Sequence, residues 1–236
     1  MKIAMWSGPR NLSTALMYAF AARTDCAVVD EPFYAAYLAI SGHSHPMRDE
    51  ILESQPNNPN VVTQTLLDTN PGNKEHFYQK HMTHHMVPGI DRTWMRQVYN
   101  VFLIRHPARV IASYDAKRET PTLDDIGFRQ QAELFDHAVA LGQSPIVLDA
   151  ADIRKDPQAA LKGLCAKLGI EFQAQMLAWP GGGNAADGVW ARHWYKAVHR
   201  STGFAGPEND LPALMGNNAQ ILDQAMPYYA YLKARI

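Results

Sequence analysis

Between a short apolar run and an alanine-rich segment of helical spacing lies Ser7-Gly8-Pro9-Arg10-Asn11-Leu12-Ser13-Thr14. A glycine-proline turn, a cation and small hydroxyl residues at an expected strand-to-helix junction have the layout of a phosphate cradle. The amino terminus of a helix offers unpaired amides and the positive end of its dipole to an anion, and Arg10 adds a fixed donor fork. Three further charged residues close strand-like runs: Glu31 in Asp30-Glu31-Pro32, Lys80 after His76-Phe77-Tyr78-Gln79, and Arg105 in Arg105-His106-Pro107.

A nucleoside-triphosphate loop of the form G-x-x-x-x-G-K-[ST] requires a second glycine and a lysine. Counting from Gly8, Ser13 takes the glycine's place and Thr14 the lysine's. Val28-Val29-Asp30-Glu31 also suits the magnesium-binding strand of a kinase, with Asp30 as ligand, but such an enzyme needs the residues the first loop lacks. His81, His84 and His85 lie close together, yet no H-E-x-x-H is present and nearby carboxylates have no set spacing, so no metal is expected.

These residues need elements to hold them. Strands are predicted over Lys2–Ser7, Cys26–Asp30, His76–Lys80, Val98–Ile104 and Pro145–Leu148, and helices over Leu12–Ala22, Phe33–Ile40, Ala108–Arg118, Phe128–Leu141 and Pro157–Leu168. Gly169 is the expected stop of the last of these helices. Residues Ser41–Asn73 form a polar excursion with one or two short helices, and an irregular aromatic-rich stretch from Trp179 to about Pro212 precedes a final helix. Strands alternating with helices predict a three-layer α/β fold, with a central, mostly parallel sheet covered by helices on both faces. Ligands of such sheets bind beyond the carboxyl ends of the strands, the rim to which Arg10, Glu31, Lys80 and Arg105 are assigned.

The 236 residues suit one domain spanning 1–236, and 47% apolar residues can build its core. A net charge of -1 supplies no field to gather nucleic acid or anionic lipid. Cys26 and Cys165 fall in apolar runs without metal spacing, as buried thiols of a reducing compartment do. No window is apolar and long enough to span a bilayer, and a cytoplasmic location is expected.

The motif Pro9-Arg10-Asn11-Leu12-Ser13-Thr14 resembles the 5′-phosphate-binding loop of sulfotransferases that use 3′-phosphoadenosine 5′-phosphosulfate (PAPS). A second segment, Val101-Phe102-Leu103-Ile104-Arg105 through Ser113-Tyr114, is similar to that family's 3′-phosphate site. A third, from Leu148-Asp149 through Pro157 to Leu168-Gly169, resembles its strand, acidic loop and helix. The likeness is best to the bacterial sulfotransferase-like branch, which implies a P-loop-like fold.

The resemblance assigns Arg10, Asn11, Ser13 and Thr14 to the 5′-phosphosulfate, and Arg105 with Ser113 to the 3′-phosphate. It implies transfer of a sulfuryl group from PAPS, without a metal, to a small-molecule hydroxyl or amine acceptor. Glu31 is the first candidate for general base and His84 the second, with Lys80 beside them; Met82 stands where the animal enzymes carry their histidine base. Leu12 replaces the family's usual loop glycine, and Arg10 its usual lysine. The alternatives are the kinase and a nucleotide-binding module without turnover. In the family, the segment holding Trp190, Trp194 and Ser201-Thr202-Gly203-Phe204 closes over the nucleotide.

Overall fold

The computed structural model describes residues 1–115 and 121–236. Five strands form one sheet: β1 (Lys2–Ser7), β2 (Cys26–Asp30), β3 (His76–Met82), β4 (Tyr99–Ile104) and β5 (Ile146–Asp149). They are all parallel, in the order β2-β3-β1-β4-β5. Apart from Lys2, at its start, β1 is buried throughout, as a central strand covered on both faces must be.

Helices cover both faces. They are α1 (Ser13–Ala21), α2 (Tyr34–Ser41), α3 (Arg48–Ser54), α4 (Pro59–Asp68), α5 (Pro107–Asp115) and α6 (Leu123–Ile126), followed by α7 (Phe128–Ala140), α8 (Ala150–Lys155), α9 (Pro157–Leu168), α10 (Ala191–Trp194), α11 (Lys196–His199) and α12 (Gly216–Lys233). Side chains alternate across the sheet. Ile3, Met5 and Tyr78 pack with Leu16 of α1, Ile153 of α8 and Leu161 of α9. Ala4, Trp6 and Phe77 pack on the other side with Leu66 of α4, Leu134 of α7 and Leu232 of α12. The result is the three-layer architecture anticipated from the sequence.

The chain leaves β1 toward β2 on one side and β4 toward β5 on the other. The strand order therefore reverses between β1 and β4, and the crevice beyond their carboxyl ends is where such sheets bind ligands.

Several boundaries differ from expectation. Helix α1 begins at Ser13, because Leu12 is left-handed at φ 72°. β3 runs on to Met82, and Gly169 ends α9 in the left-handed conformation as anticipated. The acidic loop after β5 is the short helix α8, capped by the Asp149 side chain on Ala151 N–H. The stretch after Trp179 contains α10 and α11. The predicted end of the helix at Arg118 lies outside the described residues. Cys26 and Cys165 are buried free thiols, and among the described residues no helix is long and apolar enough to cross a membrane.

The first loop is clamped from below. A Cβ on Gly8 would run into the Ile126 carbonyl, and Gly127, at φ +72°, sits against Thr83 and Gly8. Gln131 donates to the carbonyls of Leu103 (2.8 Å) and Trp6 (3.3 Å), tying α7 to the ends of β4 and β1. Gly8 is thus required for close backbone approach. Gly8→Ala is expected to destabilise the protein by about 1–3 kcal/mol, the usual range for overpacking, as measured by urea denaturation.

Candidate active site

The loop after β1 carries two strained residues, Arg10 at φ 61° and Leu12 at φ 72°. A left-handed residue other than glycine costs about 1–2 kcal/mol. Leu12 provides no side-chain cap for α1, and no acidic residue lies in the helix's first turn. The leading amides of α1, at Ser13 and Thr14, therefore face the crevice end of the helix without a side-chain acceptor. Ser13 is buried and Thr14 half-buried. Asn11 is buried, and its amide nitrogen donates to the Leu103 carbonyl (3.3 Å), which pins the loop to β4. The Arg10 guanidinium lies over the rings of Tyr114 (5.5 Å) and Trp194 (5.7 Å), a planar cation between aromatic faces.

Arg105 joins the two loops at the reversal of strand order. Its Nη1 donates to the Arg10 carbonyl at 2.7 Å, while Nε and Nη2 reach Glu208 Oε1 at 3.0 and 2.5 Å. Ser113 is half-buried near the end of α5, two turns beyond Arg105. The two segments singled out for anion binding therefore meet in one crevice.

On the other side of β1, Asp30 and Lys80 are register partners on β2 and β3. Lys80 is 1% exposed, and its Nζ donates to Asp30 Oδ1 (2.8 Å), Glu31 Oε1 (2.5 Å) and Tyr195 Oη (2.7 Å). Tyr195 Oη also lies 2.8 Å from Asp30 Oδ2 and accepts from Trp190 Nε1 (3.1 Å). The Gly188 amide completes the shell of Asp30 at 3.2 Å. Burial pushes the Asp30 carboxyl up to about 6, against the pull of Lys80. Burial pushes the Lys80 ammonium down, but the two carboxylates overcome it and hold the group above the usual lysine range.

Glu31, at φ 41°, is the third strained residue of the rim. Its carboxylate is nearly buried, with Oε1 held by Lys80 and Oε2 only 3.9 Å from His85 Nε2. His85 is stacked between Tyr34 (4.5 Å) and Tyr37 (4.8 Å), and burial, reinforced by the neighbouring histidines and Lys80, holds it well below the usual histidine range. His84 is half-buried, faces His85 and Tyr37 edge-on, and is pushed by burial down to about 4. Of the two histidines it is thus His85, weighed from the sequence only as a metal ligand, that approaches Glu31. Trp190 was singled out only within the segment that closes over the nucleotide in the family, and nothing local marks its neighbour Tyr195 as a partner of Lys80.

Among the described residues, one group brings metal-ligating atoms within 4.8 Å of one another: Asp25, Glu75 and His76. It lies at the amino ends of β2 and β3, away from the crevice. The Asp25 carboxylate is already gripped by Arg23 at 2.9 and 2.8 Å.

Removing Lys80 leaves two buried carboxylates uncompensated, a loss of about 3–5 kcal/mol. The pH dependence has a definite sign. A carboxyl raised on folding stabilises fully below its unfolded pKa and loses that contribution as pH rises through its folded value, here about 6 for Asp30. Lys80, raised in the same direction, keeps its contribution until pH exceeds the usual lysine range. Lys80→Met should therefore raise the Asp30 pKa further. Its deficit relative to wild type, measured by urea denaturation, is expected to be smaller at pH 5 than at pH 8.

The whole chain, residues 1–236, matches the family model described as "Sulfotransferase domain". Two curated relatives from Arabidopsis thaliana, branched-chain-amino-acid aminotransferase-like proteins 1 and 2, are 36% and 34% identical over 234 residues, 99% of this chain. The chain spans 42% of the length of each. Among solved structures, the sulfotransferase domain of the Synechococcus PCC 7002 olefin synthase aligns at TM-score 0.50 and 18% identity, over 95% of this chain and 94% of that one. The sulfotransferase domain from the curacin biosynthetic pathway aligns at 0.52 and 16%, over 95% and 96%. A sulfotransferase from Alicyclobacillus acidocaldarius aligns at 0.55 and 12%, over 98% and 94%. At these identities the structural likeness speaks for the fold, while the match along the full chain shows that the protein belongs to the sulfotransferase-domain family.

Proposed function

We propose that the protein transfers a sulfuryl group from PAPS to a hydroxyl or amine of a small-molecule acceptor. The observation that carries this reading is the bond from Arg105 to the Arg10 carbonyl, which joins the two phosphate-binding segments across the crevice between β1 and β4. In this reading, Arg10 and the leading amides and hydroxyls of Ser13 and Thr14 hold the 5′-phosphosulfate, with Asn11 fixing the loop. Arg105 and Ser113 hold the 3′-phosphate. The loop serves as a P-loop-like cradle without the nucleoside-triphosphate motif.

The acceptor oxygen or nitrogen attacks sulfur as the bond from sulfur to the 5′-phosphate oxygen breaks. The electron pair leaves on that oxygen, and 3′-phosphoadenosine 5′-phosphate (PAP) departs. By analogy with phosphoryl transfer, catalysis consists of positioning and charge stabilisation. Arg10 cannot give up a proton, and none is needed by a phosphate leaving group; its charge stabilises the departing oxygen. The acceptor proton passes to Glu31 through Oε2, the oxygen that Lys80 leaves open. Lys80 positions that carboxylate. His84, second on sequence grounds, lies behind His85 as an alternative base held neutral by burial.

The kinase alternative needs an Asp30 carboxylate open to magnesium. Both of its oxygens are already taken by Lys80, Tyr195 and the Gly188 amide, which counts against it.

Calorimetry without added metal tests the nucleotide: PAP is expected to bind more tightly than ADP or ATP, and Arg105→Ala to remove that preference while leaving ADP binding unaffected. Equal loss of both nucleotides would overturn the assignment of Arg105. Glu31→Gln should retain PAP binding and lower turnover with a competent acceptor by about 10²–10⁴-fold, the range for loss of a general base.

A further inference from the structure

We infer that Arg105, Arg109 and Arg154 form one site for a phosphoryl dianion, and that the Glu208 carboxylate is its resident anion, displaced when the ligand binds. The three guanidiniums come from separate elements: the exit of β4, the first turn of α5 and the last turn of α8. They converge on a single side chain. Glu208 Oε1 is 2.5 Å from Arg105 and 2.8 Å from Arg154, and Oε2 is 2.8 Å from Arg109. The Glu208 side chain is 5% exposed, whereas the arginines keep 16–21% of theirs open. Arg109 lies within the segment that carries Arg105, and Arg154 within the one from Leu148 to Gly169, but the sequence reading gave neither a role.

The charges do not balance. Three cations face one carboxylate, and a half-buried excess of positive charge is costly unless an anion offsets it. A phosphate monoester brings nearly two negative charges and three acceptor oxygens, so it matches three arginine forks better than a carboxylate does.

The segment that delivers Glu208 is built to yield. Residues 204–215 contain no helix or strand, and Leu211 and Met215 are 51% and 85% exposed. Besides Glu208, its hold on the cluster is through backbone carbonyls, Gly206 to Arg154 (2.8 Å) and Asn209 to Arg109. A segment with so little buried apolar surface opens at low cost.

That the dianion is the 3′-phosphate of PAPS rests on the function proposed above; the existence of the site does not. Wild type, Glu208→Gln and Arg154→Gln are compared in two assays: calorimetry with PAP and with ADP, and thermal melting in inorganic phosphate. Glu208→Gln is expected to bind PAP about tenfold more tightly than wild type, as for one charged contact released, with ADP unchanged. Its melting temperature should rise with phosphate more steeply than that of wild type. Arg154→Gln should weaken PAP by at least about tenfold. If Glu208→Gln gains neither PAP affinity nor phosphate-dependent stability while wild type still prefers PAP to ADP, the displaced-anion site is overturned and the proposed function stands. If wild type shows no such preference but Glu208→Gln gains stability in phosphate, the site stands and the PAPS reading fails.

Discussion

An ammonium group sealed from water organises this molecule. Lys80 is 1% exposed, so its charge has to be met by protein atoms. Asp30 meets it from the neighbouring strand, Glu31 from the residue that follows, and Tyr195 from a segment 115 residues further on. Each contact has a structural consequence. Pairing with Asp30 fixes β2 at the edge of the sheet, the bond to Glu31 turns the chain sharply at the strand exit, and Tyr195 draws α10 and α11 over the carboxyl ends of the strands.

The crevice itself is maintained against local preference. Arg10, Leu12 and Glu31 are left-handed residues with full side chains, and all three lie on the rim. Such conformations persist where surroundings over-determine them. Here the surroundings are identifiable: Gly8 wedged under Ile126, Gln131 and Asn11 both bonded to the Leu103 carbonyl, and the Glu31 amide bonded to the Lys80 carbonyl at 2.9 Å. Two of the three strained residues, Arg10 and Glu31, carry charge, and the residues beneath them hold the shape.

What could be read in the sequence follows from the range of the forces involved. Continuous apolar runs ended by a charge and a proline marked β2 and β4, and the turn at Gly8-Pro9 marked the end of β1, because strand and turn preferences are local. The left-handed Gly169 at the end of α9 was legible for the same reason. The short helices α8, α10 and α11 were not, since pieces of four to six residues have little periodicity and owe their form to capping and tertiary contact. At the site, Arg10, Glu31 and Arg105 were visible as strand exits, whereas Lys80, expected to close β3, lies inside it because the strand runs on to Met82 beside β1. Their pairings were hidden, since Tyr195 and Glu208 lie 115 and 103 residues away from Lys80 and Arg105. The choice between His84 and His85 turned on a single step of a 3₁₀ turn at Thr83–His85, finer than any pattern in the residues.

One guanidinium links the loop after β1 to the exit of β4, with one nitrogen on a backbone carbonyl and the other two on the Glu208 carboxylate. Because a guanidinium is planar, that bridge fixes how the two loop ends face one another. In the proposed function the crevice would work as a ruler: selection among nucleotides would follow the distance between their charged groups, and a change in the aromatic part would matter less than moving one phosphate along the ribose.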